Sequence, residues 1–129
     1  MFRALVIDDE FGIRHIVKLA LSRIDIEVTE AETAAVALAR LEDMVPHIIL
    51  MDLRLPDRSG TELAREIRQR HPRIPIVFMS ASTELARAAE EADTAAYLEK
   101  PFKLAQLQSL VRDLLTTKTP AADGLETTP

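Results

Sequence analysis

Short apolar runs ending in polar residues, separated by longer stretches of helical period, constrain this chain more than any other feature. Four runs are clear: "ALVI" (4–7), "HIILMD" (47–52), "IPIVFMS" (74–80) and "AAYLEK" (95–100). A fifth, "DIEVTEA" (25–31), alternates apolar and charged residues as a half-exposed edge strand does. Strands alternating with helices predict βα units around a parallel sheet, whose inner strands read as unbroken apolar runs because both faces are covered. The 129 residues fit one such domain with a single continuous core.

Helical stripes lie between the runs. Phe11, Ile13, Ile16, Val17, Ala20, Leu21 and Ile24 follow an i, i+3, i+4 spacing, as do Leu104, Leu107, Leu110, Val111 and Leu114, so both segments are expected to pack these residues on the sheet. A helix near 33–44 turns Ala37, Leu38 and Leu41 inward. Ser59 and Glu62 form an S-x-x-E start for a helix running through Leu63 and Ile67 to His71 and Pro72. The segment 83–93 offers only Leu85 and alanines to a core and is expected to be the loosest helix. From Thr116 the Thr, Pro, Ala and Gly content has no period, so residues 1–115 form the expected domain and 116–129 a disordered tail or truncated linker.

Composition removes several function classes. Without cysteine there is no disulfide framework, thiolate zinc site or cysteine nucleophile, and a reducing, cytoplasmic setting is the expectation. A net charge of −5 argues against DNA or anionic membrane as a partner of this chain alone. No run approaches the roughly 18 apolar residues of a membrane span.

The chemistry is expected where the strands end, because ligands of parallel sheets bind beyond the carboxyl ends of their strands. Asp8, Asp9 and Glu10 end the first run, Asp52 the third, Ser80 the fourth, and Glu99, Lys100 and Pro101 the fifth. With a central order 1-3-4-5, three carboxylates (Asp8, Asp9, Asp52) face a hydroxyl and an ammonium. Adjacent like charges need compensation, and hard oxygen ligands without His or Cys suit Mg2+. Asp52 is then a candidate nucleophile forming an acyl phosphate, with Lys100, Ser80 and backbone N–H groups near Ala81 on the phosphoryl oxygens.

The motifs "VIDDE", "IILMDLRLPDRSGTEL", "IVFMSA" and "YLEKPF", in this order and spacing, make the chain resemble a receiver domain of the two-component response-regulator family from Arg3 to about Leu115. That resemblance implies a flavodoxin-like (βα)5 fold with sheet order 2-1-3-4-5, and phosphorylation by a histidine kinase or phosphotransfer protein. It implies Asp52 as phosphoacceptor, and Mg2+ held directly by Asp9 and Asp52, through water by Asp8, and by the backbone carbonyl of Arg54. Ser80 matches the switch hydroxyl, Tyr97 the aromatic that moves with it, Lys100 the phosphate-binding lysine and Pro101 a cis proline. Arg54 and Ser82 occupy positions tied to phosphoryl lifetime. Asp93 and Thr94 stand where relatives often carry glycine, in a turn that Asp tolerates. The resemblance also implies output through a protein partner or an effector domain, allows a phosphorylation-dependent dimer, and implies no catalysis beyond the chain's own phosphorylation and dephosphorylation.

Two other readings use the same residues. A phosphoaspartate phosphohydrolase would carry a second Asp two residues after the nucleophile, where this chain has Arg54, and a substrate cap that is missing. A phosphorylation-independent interaction module would have lost an acidic residue, the acceptor or the lysine, and all are present. A nucleotide-binding domain is weaker still, because the three glycines form no G-x-G-x-x-G.

Overall fold

The computed structural model describes residues 1–81, 87–88 and 96–116. The expected helix 83–93, Ser82, the turn at Asp93 and Thr94 and the tail beyond Thr116 lie outside the described residues, apart from helical residues 87–88. Strands β1 (Phe2–Ile7), β2 (Ile26–Ala31), β3 (Ile48–Asp52), β4 (Ile76–Ser80) and β5 (Ala96–Glu99) form one parallel sheet in the order β2-β1-β3-β4-β5. Among the described residues four helices accompany them: α1 (Phe11–Ser22), α2 (Ala34–Asp43), α3 (Gly60–Arg70) and α4 (Leu104–Leu115). None is long and apolar enough to cross a membrane.

Alternate strand residues feed opposite faces, which gives two cores from one sheet. Leu5, Ile7, Ile49, Met51, Ile76 and Phe78 meet Leu41 of α2 and Leu63 and Ile67 of α3. Ala4, Val6, Leu50, Val77, Met79 and Leu98 meet Val17 and Leu21 of α1 and Leu107 and Val111 of α4. The apolar runs of β1, β3 and β4 are thus strands buried on both sides, whereas the edge strands are not: β2 is buried only at Ile26 and Ala31 and β5 only at Leu98. Asp25 belongs to the turn before β2 instead of the strand, with φ 62°, a left-handed conformation that Asp adopts more readily than most residues.

The expected inward stripe of α1 is narrower than its apolar spacing. Val17, Ala20 and Leu21 are fully buried, but Phe11 is 68% exposed and Ile16 39%. Phe11 is the first helical residue, at the rim of the sheet where no strand lies beneath it. Its ring stacks instead on His15, with centroids 5.9 Å apart, and lies 5.7 Å from the Arg14 guanidinium.

Local sequence explains where α2 and α3 begin. The Thr33 hydroxyl accepts from Val36 N–H at 3.0 Å, and the Ser59 hydroxyl accepts from Glu62 N–H at 3.1 Å, each supplying an acceptor to an amide of the first turn. At Gly60 a Cβ would press on the Asp52 carbonyl oxygen and stand 2.9 Å from Leu53 Cα. Glycine therefore lets α3 start against the very end of β3, keeping Asp52 at the helix entrance.

Candidate functional site

The carboxyl ends of β1, β3 and β4 deliver Asp8, Asp52 and Ser80 to one rim. Each is a polar residue closing an apolar strand, and each is largely buried: Asp8 is 0% exposed, Asp52 8% and Ser80 5%. Asp8 is fixed on both sides of its peptide unit. Its N–H donates to the Ala31 carbonyl at 3.0 Å, extending the β1–β2 ladder, and its carbonyl accepts from Arg14 Nη1 at 2.8 Å. Arg14 in turn pairs with Glu30 of β2 at 3.0 Å, so α1, β2 and the end of β1 hold one another.

The Lys100 ammonium is the centre of the charge arrangement. It lies 2.8 Å from Asp8 Oδ2, 3.1 Å from Glu10 Oε1 and 3.4 Å from Asp52 Oδ2. The lysine comes from the residue after β5, whose N–H donates to the Ser80 carbonyl at 2.9 Å, and the Lys100–Pro101 bond is cis. Asp8 Oδ1 accepts from Glu10 N–H at 2.9 Å, an Asx turn that folds Glu10 back over the rim. Asp52 Oδ1 accepts from Arg54 N–H at 3.3 Å.

Electrostatics follow this geometry. Burial pushes the Asp52 carboxyl above the usual carboxylate range; the Lys100 charge opposes that and the Asp8 charge adds to it. For Lys100 burial works against the ammonium, yet the hydrogen bond and charge of Asp8, with help from Glu10 and Asp52, outweigh it and hold its pKa above the ordinary lysine value.

Glu10, Asp52, Arg54, Ser80, Ala81 and Lys100 line a cleft of about 380 Å3 over this rim. Carboxylate oxygens of Asp8, Glu10 and Asp52 come within 4.8 Å of one another. This all-oxygen set fits a hard divalent cation such as Mg2+, which takes one or two carboxylates and retains waters. Asp9 is exposed and stands outside that group, whereas Glu10, not among the ligands expected from the sequence, stands within it. The signal for Glu10 was the Asp two positions earlier, the residue type that initiates such a turn. Tyr97 is 49% exposed and lines a separate groove with Leu98, Gln106, Ser109, Leu110 and Asp113.

A family model described as the response regulator receiver domain matches residues 4–112. The chain belongs to the receiver domain family. This receiver domain is similar to the response regulator protein PilR of Pseudomonas aeruginosa, with 34% identity over 94% of this chain and 28% of PilR. It is also similar to the DNA-binding transcriptional regulator NtrC of Escherichia coli, with 34% identity over 82% of this chain and 23% of NtrC. The chain therefore spans about a quarter of the length of these two relatives. Among solved structures, the receiver domain of NtrX from Brucella abortus superposes with a TM-score of 0.83 at 32% identity, covering 89% of this chain and 99% of that one. Receiver domains are phosphoaspartate switches that bind Mg2+ at a cluster of acidic residues, and Asp8, Glu10 and Asp52 form such a group.

Proposed function

We propose that Asp52 is the phosphoacceptor of this receiver domain, taking a phosphoryl group from a phosphohistidine of a histidine kinase or phosphotransfer protein. The N–P bond of the donor, whose other ring nitrogen carries a proton, breaks and a bond from an Asp52 carboxylate oxygen to phosphorus forms, leaving a neutral imidazole and an acyl phosphate. The observation that carries this reading is the Lys100 ammonium, which reaches Asp8, Glu10 and Asp52 together at the mouth of the cleft. Of those three carboxylates Glu10 and Asp52 line the cleft, and Asp52 is the one at the end of the central strand β3, in the lining with Ser80 and Ala81.

Asp9 and Asp52 directly, Asp8 through water and the backbone carbonyl of Arg54 are the proposed protein ligands of Mg2+, with Glu10 adding a carboxylate beside Asp8 and Asp52. When bound, the cation neutralises charge on the transferred group and its acceptor. Lys100 binds phosphoryl oxygens once the new charge draws its ammonium from the carboxylates, and the Ser80 hydroxyl and Ala81 amide supply donors on the opposite wall. A shift of Ser80 toward the phosphoryl group opens room for Tyr97 to turn inward, altering the surface of β5 and α4 that a partner reads. We place the chain in the cytoplasm, acting on a protein partner or an effector domain beyond residue 129, in keeping with relatives several times its length.

The reading is tested by incubating the chain with acetyl phosphate and following intact mass. One phosphoryl group should be gained with Mg2+ and none in EDTA; labelling undiminished in EDTA contradicts it. The lifetime of the product should depend on Arg54, an exposed side chain at the cleft wall. A long cationic side chain there covers the path of a water in line with the Asp52–phosphorus bond. Arg54→Asn is expected to shorten the phosphoryl half-life severalfold, about 1 kcal/mol in the barrier. A longer half-life in that variant would mean that Arg54 assists hydrolysis electrostatically.

A further inference from the structure

The loop between β3 and α3, which carries Arg54, is closed at its base and anchored at its tip. At the base, Gly60 N–H donates to the Leu53 carbonyl at 2.6 Å, and Arg54 and Ser59 form an antiparallel bridge. At the tip, Arg58 pairs with Glu66 of α3 at 2.7 Å, which ties the loop only to the helix it leads into. Asp57 does something different. Its Oδ1 accepts from Ala34 N–H and its Oδ2 from Ala35 N–H, both at 2.9 Å, so one carboxylate takes the first two amides of α2. The Ala34 hydrogen bond, with that from Ala35, holds the Asp57 carboxyl below the usual carboxylate range.

Thr33 already serves the next amides of α2: its hydroxyl accepts from Val36 and its carbonyl from Ala37. Helix α2 therefore has its own cap, and Asp57 adds a link across space. From Ala34 the chain runs back three residues to Ala31, whose carbonyl accepts the N–H of Asp8. Asp52, its loop, Asp57, the start of α2, the end of β2 and Asp8 thus follow one another in a circuit that closes through Lys100, whose ammonium donates to both Asp8 and Asp52.

Building on the proposed metal site, we propose that Asp57 is a positioning residue that sets the loop of Asp52 and Arg54 against the β1 end carrying Asp8. Its carboxylate, outside the cleft, fixes the spacing of groups inside it. Cation binding, which draws Asp52 and Asp8 to a common centre, pulls on the circuit and is felt at the first amides of α2. A ligand set held at its spacing beforehand binds more tightly than one that must be gathered.

The test compares Asp57→Ala, Asp57→Asn and Thr33→Ala in the full chain, measuring Mg2+ affinity by calorimetry, Ala34 and Ala35 amide shifts by NMR, and stability by urea unfolding. Asp57→Ala should weaken Mg2+ binding about tenfold, the lower end of what orienting groups contribute. Asp57→Asn, which keeps one carbonyl acceptor, should fall between it and the parent. Thr33→Ala weakens α2 without touching the loop, so it should lose stability while changing Mg2+ affinity less than about twofold. In the parent the Ala34 and Ala35 amides should shift with the same midpoint as those near Asp52, and in Asp57→Ala they should not respond. Unchanged affinity in Asp57→Ala, or equal weakening in Thr33→Ala, overturns the positioning role while leaving the metal site standing. A parent that binds no Mg2+ overturns the metal-site reading and this inference with it.

Discussion

Lys100→Met, in Mg2+-free buffer near neutral pH, is expected to lose about 3 kcal/mol of unfolding free energy, toward the lower end of what breaking a buried ion pair costs. Methionine keeps most of the aliphatic stem, so the loss isolates the ammonium. Without it, Asp8 at 0% exposure and Asp52 at 8% stand beside one another uncompensated, with water from the cleft as their relief. The pH dependence has a definite sign. Asp52 already has a raised folded pKa from burial, and losing the Lys100 charge raises it further. A carboxyl with a raised folded pKa favours the folded state when protonated, and that contribution disappears as pH climbs through the folded value. The deficit of Lys100→Met should thus be greatest at neutral pH and shrink on acidification. In the parent, Lys100 has its own pKa raised, so its stabilisation persists through neutrality and fails only in strongly alkaline solution. Adding Mg2+ at about ten times its dissociation constant should restore about 1.4 kcal/mol to the variant if it still binds. Urea midpoints with unchanged slope measure all three effects. Equal stability of variant and parent would mean that water already compensates these carboxylates.

Asp52→Asn should lose phosphoryl labelling altogether and gain stability in EDTA, two effects of opposite sense from one atom. Asparagine preserves shape, but its one carbonyl oxygen can accept from Arg54 N–H or from Lys100 and not from both, since these donate to different carboxylate oxygens; it offers no carboxylate nucleophile and places no second charge beside Asp8. By the same linkage, the ionised Asp52 opposes folding at neutral pH, and removing the charge should stabilise the metal-free chain, a gain that fades as pH falls. The rise in stability on adding Mg2+ should be mostly lost as well. A variant less stable than the parent at neutral pH would show the Lys100–Asp52 attraction outweighing desolvation.

The strands and the residues at their ends were legible in the sequence because a parallel sheet covered on both faces demands apolar runs, and polar residues can follow only where cover stops. That logic reached Asp8, Asp52, Ser80 and Lys100, which the sheet does gather on one rim. It placed Asp25 in a strand because alternation cannot distinguish an edge strand's first residue from a left-handed turn residue. It turned Phe11 and Ile16 inward because helical spacing gives the angle of a side chain about its axis and not where the sheet beneath ends. Glu10 was hidden by a local turn that reverses the chain after Asp8, and Asp57 by a contact with Ala34 that no spacing along the chain encodes. Ser82 and, apart from residues 87–88, the segment 83–93 expected to be the loosest helix fall outside the described residues.

The central claim, that the carboxylate at the end of β3 becomes the acyl phosphate, is tested most directly by borohydride trapping of the phosphorylated parent. Hydride reduces an aspartyl phosphate to a homoserine residue and expels inorganic phosphate, leaving a permanent mark at the acceptor that peptide mass spectrometry locates. The account predicts homoserine at position 52, dependent on Mg2+ during phosphorylation and absent from Asp52→Asn. Reduction at Asp8, Asp9 or Glu10, or a phosphate on Ser80 that resists borohydride, would contradict it.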